Sequence, residues 1–239
     1  MRGVETLSAI ASRPTAVIIA DQLRERIIDR SFGPGDQINE AQVAGQLNVS
    51  RGPVREALHR LVQEGLLISR PNRGVFVREL TRRDVAEVYE AREVIECAAT
   101  EHIVSRDESY RSELADRLDE ITERMREPLE SHDWSALSRI DIEFHLTLVD
   151  AGENSRLSRA YQTLATEALI CLSHFEEAYP SPDRVLPGHH LIATLLREGD
   201  MEELHQVLHR HLSLSSYELH THAAGEELRH GRNESQFAH

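Results

Sequence analysis

The run Ser50-Arg51-Gly52-Pro53-Val54-Arg55-Glu56-Ala57-Leu58 constrains this chain more than any other stretch. It follows a short helical pattern, Glu40 to Leu47, and a turn at Asn48-Val49. Ser50 can cap the helix that comes next, and Pro53 is tolerated in its first turn, where a missing N–H breaks no helical bond. Val54, Ala57, Leu58 and Leu61 recur at helical spacing and face inward. Arg51 and Arg55, one turn apart, therefore project from one side. A helix that packs on a small core while presenting arginine forks outward is suited to a DNA major groove. Each good fork onto guanine O6 and N7 contributes roughly 1–3 kcal/mol of discrimination. Ser50 and the backbone N–H groups at the helix start suit a phosphate.

The surroundings complete a reading head. Val17, Ile18, Leu23, Ile27 and Ile28 give helical spacing from Thr15 to about Asp29, and Gly33-Pro34-Gly35-Asp36 breaks it. Two short strands, Leu66 to Ser69 and Gly74 to Val77, frame Pro71-Asn72-Arg73 as a hairpin. Its tip, Arg73 and Gly74, has the charge and the slimness to approach a minor groove. Beyond Val77 the pattern becomes purely helical, over about 82–104, 108–127, 133–150, 155–177, 185–197 and 200–226. Thr81-Arg82-Arg83-Asp84 opens the first of these as a capping box. The expected fold is mainly α: a winged helix-turn-helix of three helices and a β-hairpin, then an all-α antiparallel bundle. The expected organisation is a flexible tail at 1–14, the DNA-binding domain at 15–78, a linker at 79–82, the bundle at 83–226 and a polar tail at 227–239.

A net charge of −14 looks unsuited to DNA until it is divided. Residues 1–80 hold 11 Arg against 9 acids, or +2, and the remainder holds 16 Arg against 32, or −16. Only the first part can lie on phosphate, and the second should repel it. No apolar run approaches the roughly 18 residues of a membrane span, and the N-terminus lacks a signal-peptide pattern. The expected location is the cytoplasm, and Cys97 and Cys171 read as reduced core residues.

Several polar groups of the second part fall on apolar stripes. At about 100° per residue, Asp141 and His145 lie among Leu137, Phe144 and Leu148, whereas Glu143 points away. On the last helix His211 falls with Leu204 and Leu208, together with Ser215 and Leu219, while His205 and His209 look outward. His189 is nearer than His190 to the face of Ile192 and Leu196. A carboxylate in an apolar interior is costly unless paired or bound to metal. Asp141, His145, His189 and His211 together suit a borderline divalent ion, Zn²⁺, Ni²⁺ or Mn²⁺. Arg92 shares a stripe with Val85, Val88, Ala99, Ile103 and Glu96. It either pairs with Glu96 or clamps the carboxylate of an effector that also ligates the metal, with Glu96 orienting it. Tyr89 and His102 are further candidates for that pocket.

Residues 15–78 resemble the winged helix-turn-helix of GntR-type bacterial regulators, on the strength of Val49 to Leu58. Residues 82–222 resemble the FCD-type effector domain of the FadR subfamily, through Asp141-Ile142-Glu143-Phe144-His145 and the later His189 and His211. Ala41 stands where some relatives carry a basic residue, and Gly188 replaces an acidic residue often found before the equivalent of His189. The resemblance implies base contacts from Arg51 and Arg55, a wing at Arg73 and Gly74, and a metal in the bundle with open positions for water or a small carboxylate. The expected function is a homodimeric regulator, a repressor of a catabolic operon. It would bind an inverted-repeat operator with an affinity set by a small organic acid. A regulator in which the metal itself is the signal is the alternative, and a metal-dependent hydrolase the remote one.

Overall fold

In the reading head, the structure buries Val54, Ala57 and Leu58 of the opening run and leaves Arg51, Arg55 and Glu56 in solvent. The structure, a computed structural model, describes residues 14–174 and 182–213. Helix α1 (Thr15–Ile28) buries Ala16, Ile19, Ala20, Leu23, Ile27 and Ile28. The stripe departs from expectation at its start: Ile18 is exposed, and Ala16, Ile19 and Ala20 form the buried face. Strand β1 (Gln37–Ile38) leads into α2 (Glu40–Leu47). Asn39 caps α2 by accepting from the amides of Ala41 and Gln42 at 2.9 and 3.2 Å. The chain leaves α2 through Asn48 in the left-handed region (φ 51°), a conformation asparagine tolerates well. That tight corner starts α3 (Arg51–Gln63), whose Val54, Ala57, Leu58 and Leu61 are buried. Ser50 occupies the N-cap position, but its side chain makes no capping bond, contrary to expectation.

The expected hairpin is one part of a three-stranded antiparallel sheet in the order β1-β3-β2, with β2 at Leu67–Arg70 and β3 at Gly74–Val77. Arg70 pairs with Gly74, and Leu67 with Val77. The added strand β1 pairs Gln37 with Phe76 and Ile38 with Val75. Two residues have no periodicity to read, so β1 left no trace in the sequence pattern. The hairpin tip needs positive φ at Asn72 (58°) and Gly74 (101°), residue types that adopt it readily.

Helix α4 (Arg82–Val104) opens on the expected capping box, in which Thr81 and Asp84 exchange side-chain and backbone bonds. The expected helix 108–127 divides into α5 (Glu108–Arg124) and α6 (Arg126–Ser131). Pro128 explains the break, because it has no N–H for the carbonyl four residues back and its ring would crowd it. Helices α7 (Trp134–Ala151), α8 (Ser155–His174) and α9 (Pro182–Glu198) follow, and residues 201–213 are helical again (α10). The expected continuation of α10 to 226, with Ser215 and Leu219, lies outside the described residues. So do residues 1–13 of the N-terminal tail and the tail at 227–239. Phe144, Leu148, Leu118, Met125, Ile192, Leu196 and Leu208 share one core of the bundle. No helix among the described residues is long and apolar enough to cross a membrane.

The head is docked on the bundle. Ile170 of α8 is buried in the head's own core, beside Ile19, Leu58 and Leu66 of its cluster. Arg78 spans the junction, 2.7 Å from Asp84 and 3.3 Å from Glu167. The Glu167 carboxylate lies so close over Gly65 that a Cβ there would sit 2.3 Å from its Oε1. Arg139 of α7 reaches Glu25 of α1 at 2.7 Å.

Candidate metal centre and nucleic-acid interface

On the head, the five residues singled out for DNA are all exposed: Ser50, Arg51, Arg55, Arg73 and Gly74. The Gln37 side-chain amide donates to the Arg73 carbonyl at 2.8 Å, which ties the wing tip to β1. Arg55 is 68% exposed yet engaged, with its Nη2 3.1 Å from Glu40 Oε2. That partner lies 15 residues away on another helix and left no signal in the periodicity of α3.

In the bundle the four candidate ligands converge from three helices. Asp141 and His145 come from α7, His189 from α9 and His211 from α10. One ligand atom from each lies within 4.8 Å of all the others. Asp141, His145 and His189 are buried, and His211 is half-buried. The hydrogen bonds around the rings set which nitrogen faces the centre. His145 Nδ1 donates to Glu96 Oε2 at 2.7 Å, and His189 Nδ1 donates to the Val185 carbonyl at 2.8 Å. With Nδ1 protonated, each neutral ring turns an Nε2 lone pair inward. His145 Nε2 and His211 Nε2 are then 3.3 Å apart, and His189 Nε2 is 3.2 Å from Asp141 Oδ1. The last contact lacks hydrogen-bond geometry, which leaves His189 Nε2 buried without a hydrogen-bond partner. His145 Nε2 and His211 Nε2 can share a ring proton at that distance, whereas His189 Nε2 stays unpartnered beside the Asp141 carboxylate. The donor set and the orphaned nitrogen fit a divalent ion of the Zn²⁺, Ni²⁺ or Mn²⁺ kind.

Beside this centre lies a buried polar network. Arg92 is 1% exposed and Glu96 fully buried. Arg92 Nε lies 3.3 Å from Glu96 Oε1 and 3.1 Å from the Tyr161 hydroxyl, which itself donates to Glu96 Oε1 at 2.5 Å. Glu96 thus joins two roles: its Oε1 holds the arginine and its Oε2 orients His145. The Tyr89 ring packs 4.9 Å from the Arg92 guanidinium carbon, and Arg92 Nη2 is buried with no hydrogen-bond partner. Burial opposes ionisation of Asp141, but the His189 and His145 rings, when protonated, and Arg92 hold its carboxyl well below the usual range. Burial likewise works against the Glu96 carboxylate, yet His145, when protonated, and Arg92 keep it lowered. His211 is pushed well below its ordinary value, first by burial and then by any charge on His189 and His145. One guanidinium against two carboxylates leaves this interior net negative while the imidazoles are neutral.

Tyr161 was missed by sequence reasoning. Its signal was a phenol in a stripe with Ala165, Ala168 and Cys171, all buried, where a hydroxyl needs a partner. His102, a candidate for the pocket, is exposed on α4 and takes no part. His209 faces outward as expected and pairs with Glu93 at 2.9 Å. His205 is half-buried, and its Nε2 is buried without a partner, so it does not simply face solvent. Gly188 is accounted for by packing: a Cβ there would sit 3.3 Å from His211 Nδ1. Cys97 and Cys171 are free thiols, and burial pushes Cys171 up to about 12.

Comparison with known proteins agrees with both halves. Residues 15–77 match the model of the gntR family of bacterial regulatory proteins, and residues 87–214 match the FCD domain. The chain is 30% identical over 206 residues to the gluconate operon transcriptional repressor of Bacillus subtilis, covering 84% of this chain and 83% of that protein. It is 29% identical to a probable D-xylose utilization operon repressor of Paenarthrobacter nicotinovorans, covering 87% and 91%. A crystal structure of a putative GntR transcriptional regulator from Rhodococcus sp. RHA1 superposes with a TM-score of 0.72 at 28% identity, covering 85% of this chain and 96% of that one. The chain belongs to the GntR family of bacterial transcriptional regulators, with a winged helix-turn-helix followed by an FCD domain, and is not an enzyme.

Proposed function

We propose that this regulator is a homodimeric repressor of a catabolic operon, and that its operator affinity is set by a small organic acid bound at a metal in the bundle. The observation that carries the reading is the pairing of two unsatisfied buried atoms in one network. His189 Nε2 lies in the Asp141–His145–His189–His211 centre, and Arg92 Nη2 lies beside it. Asp141 and the three imidazoles would hold the ion, and Glu96 and the Val185 carbonyl fix the ring orientations. A bound divalent ion would supply Lewis-acid attraction for a carboxylate. Arg92 Nη2 offers the same carboxylate a charge-assisted hydrogen bond. Once the net negative interior has gained two positive charges, it favours an anion. The gluconate and D-xylose operon repressors among the relatives support repression of a carbon-source operon.

At the other end, Arg51 and Arg55 read base edges, with Ser50 on phosphate and Arg73 and Gly74 in the minor groove. Two heads related by a two-fold axis read an inverted repeat. Helices α7 and α8 connect the two activities. α7 carries Asp141, His145 and the docking residue Arg139, and α8 carries Tyr161, Glu167 and Ile170. An acid that favours one arrangement of α7 and α8 thereby favours one arrangement of the heads.

The test is calorimetric titration of the metal-free full chain with Zn²⁺, Ni²⁺ and Mn²⁺, followed by a panel of small carboxylates. The expected result is one metal per chain, with acid binding that requires the metal and is lost in Arg92→Met. Metal binding with no response to any acid would leave the four protein ligands as a closed set and favour the metal-sensing reading. No metal binding at all would overturn both.

A further inference from the structure

We infer that Glu40 is a positioning residue for Arg55, holding its guanidinium ready for a base edge before DNA arrives. The inference rests on the proposal that Arg55 reads a base. The two α3 arginines proposed to read bases, Arg51 and Arg55, are differently provided. Among the described residues Arg51 makes no hydrogen bond or ion pair. Arg55 is forked onto one carboxylate, with Nε 3.3 Å from Glu40 Oε1 and Nη2 3.1 Å from Oε2. This pairing occupies the side edge of the guanidinium, Nε and one hydrogen of Nη2. The end edge, Nη1 and the second hydrogen of Nη2, remains for two acceptors, and guanine offers two in O6 and N7.

Glu40 is well placed to act as a buttress. It is the first residue of α2, where a carboxylate is favoured by the helix dipole, and α2 is fixed to α3 by the Asn48 corner. As a contribution to the fold the pair is weak, because exposed ion pairs are worth little and Arg55 is 68% exposed. A carboxylate beside a phosphate-binding surface also repels DNA. Its usefulness lies in discrimination. Arginine side chains carry roughly 2 kcal/mol of rotamer entropy, and here part of the ordering precedes binding. The same fork keeps Arg55 from swinging onto a phosphate. When the groove closes over the pair and water leaves, the pairing strengthens. Arg51, which has no such restraint, can follow either a base or the backbone.

The test uses the full chain, the duplex that wild-type protein selects from a random-sequence pool, and a scrambled duplex of equal length. Binding is read by fluorescence anisotropy for wild type, Glu40→Ala, Arg55→Ala and the double variant, with thermal melting as the control for folding. Glu40→Ala should bind the scrambled duplex more tightly, and its selected-to-scrambled affinity ratio should fall on the order of tenfold. The loss should be confined to one base pair per half-site. In the Arg55→Ala background, Glu40→Ala should change the ratio no further. Should Glu40→Ala melt early, Glu40→Gln carries the test, and its ratio must also fall. Equal tightening on both duplexes, with the ratio unchanged, would mean that Glu40 acts only by repulsion and would overturn the inference. A further fall of the ratio in the Arg55→Ala background would overturn it too, since Glu40 would then read a base itself. An Arg55→Ala chain that discriminates fully would remove the base-reading assignment, and it would do so with Glu40 intact.

Discussion

The reading head and the bundle centre handle charge in opposite ways. On α3 the arginines stand in solvent over a purely apolar interior, with Val54, Ala57, Leu58 and Leu61 beneath them. There the residues proposed to read DNA and the residues that hold the core are different ones. In the bundle, Arg92, Glu96, Asp141, His145 and His189 are themselves the interior, packed with Phe144 and Leu148. Each buried charge depends on its neighbours, so a change to the site also costs stability. Surface recognition can be revised one side chain at a time, whereas a buried site moves as a unit.

Three changes break or sharpen that contrast, from the largest effect to the smallest. Arg92→Ala should lose about 3–5 kcal/mol in urea denaturation, because it leaves the Glu96 carboxylate buried without its cation; a loss below about 1 kcal/mol would mean that the network is solvated. At the junction between the halves, Thr81→Ala should cost about 1 kcal/mol through the lost cap. The cap is also acid-sensitive. Burial would raise Asp84, but bonds from Thr81 and Arg78 hold it below its ordinary value. Its contribution is full above about pH 3.9 and is lost as the pH falls through the lowered folded value. Unfolding of wild type and Thr81→Ala between pH 2 and 6 should therefore show a difference that shrinks only at the acid end. The smallest stability effect belongs to Arg51→Ala, within about 0.5 kcal/mol of wild type, and yet it should weaken binding to a selected duplex by roughly 1–3 kcal/mol. If Arg51→Ala instead unfolds the head, the separation of function from stability fails.

The same contrast explains what could be read from the sequence. Arg51, Arg55, Asp141 and His145 were legible because their positions relative to an apolar stripe follow from the helical period alone. His189 and His211 were legible in the same way, one helix at a time. Contacts made through space were not. Tyr161 meets Glu96 across 65 residues of chain, and Ile170 belongs by sequence to the bundle but packs in the head. Glu40 and Arg55 lie on separate helices whose relative turn no period encodes. Strand β1 is too short to show alternation, and the division of α5 from α6 hung on the single residue Pro128.

The central claim is that the buried centre governs the exposed reader. It is tested most directly by measuring the affinity of the metal-loaded full chain for its selected duplex, with and without each small carboxylate, in wild type and in the near-isosteric Asp141→Asn. The account predicts that one acid shifts the wild-type Kd by roughly 5–150-fold and leaves Asp141→Asn unmoved, with both proteins binding the duplex in the absence of acid. An equal shift in both proteins, or none in wild type from any acid, would contradict it.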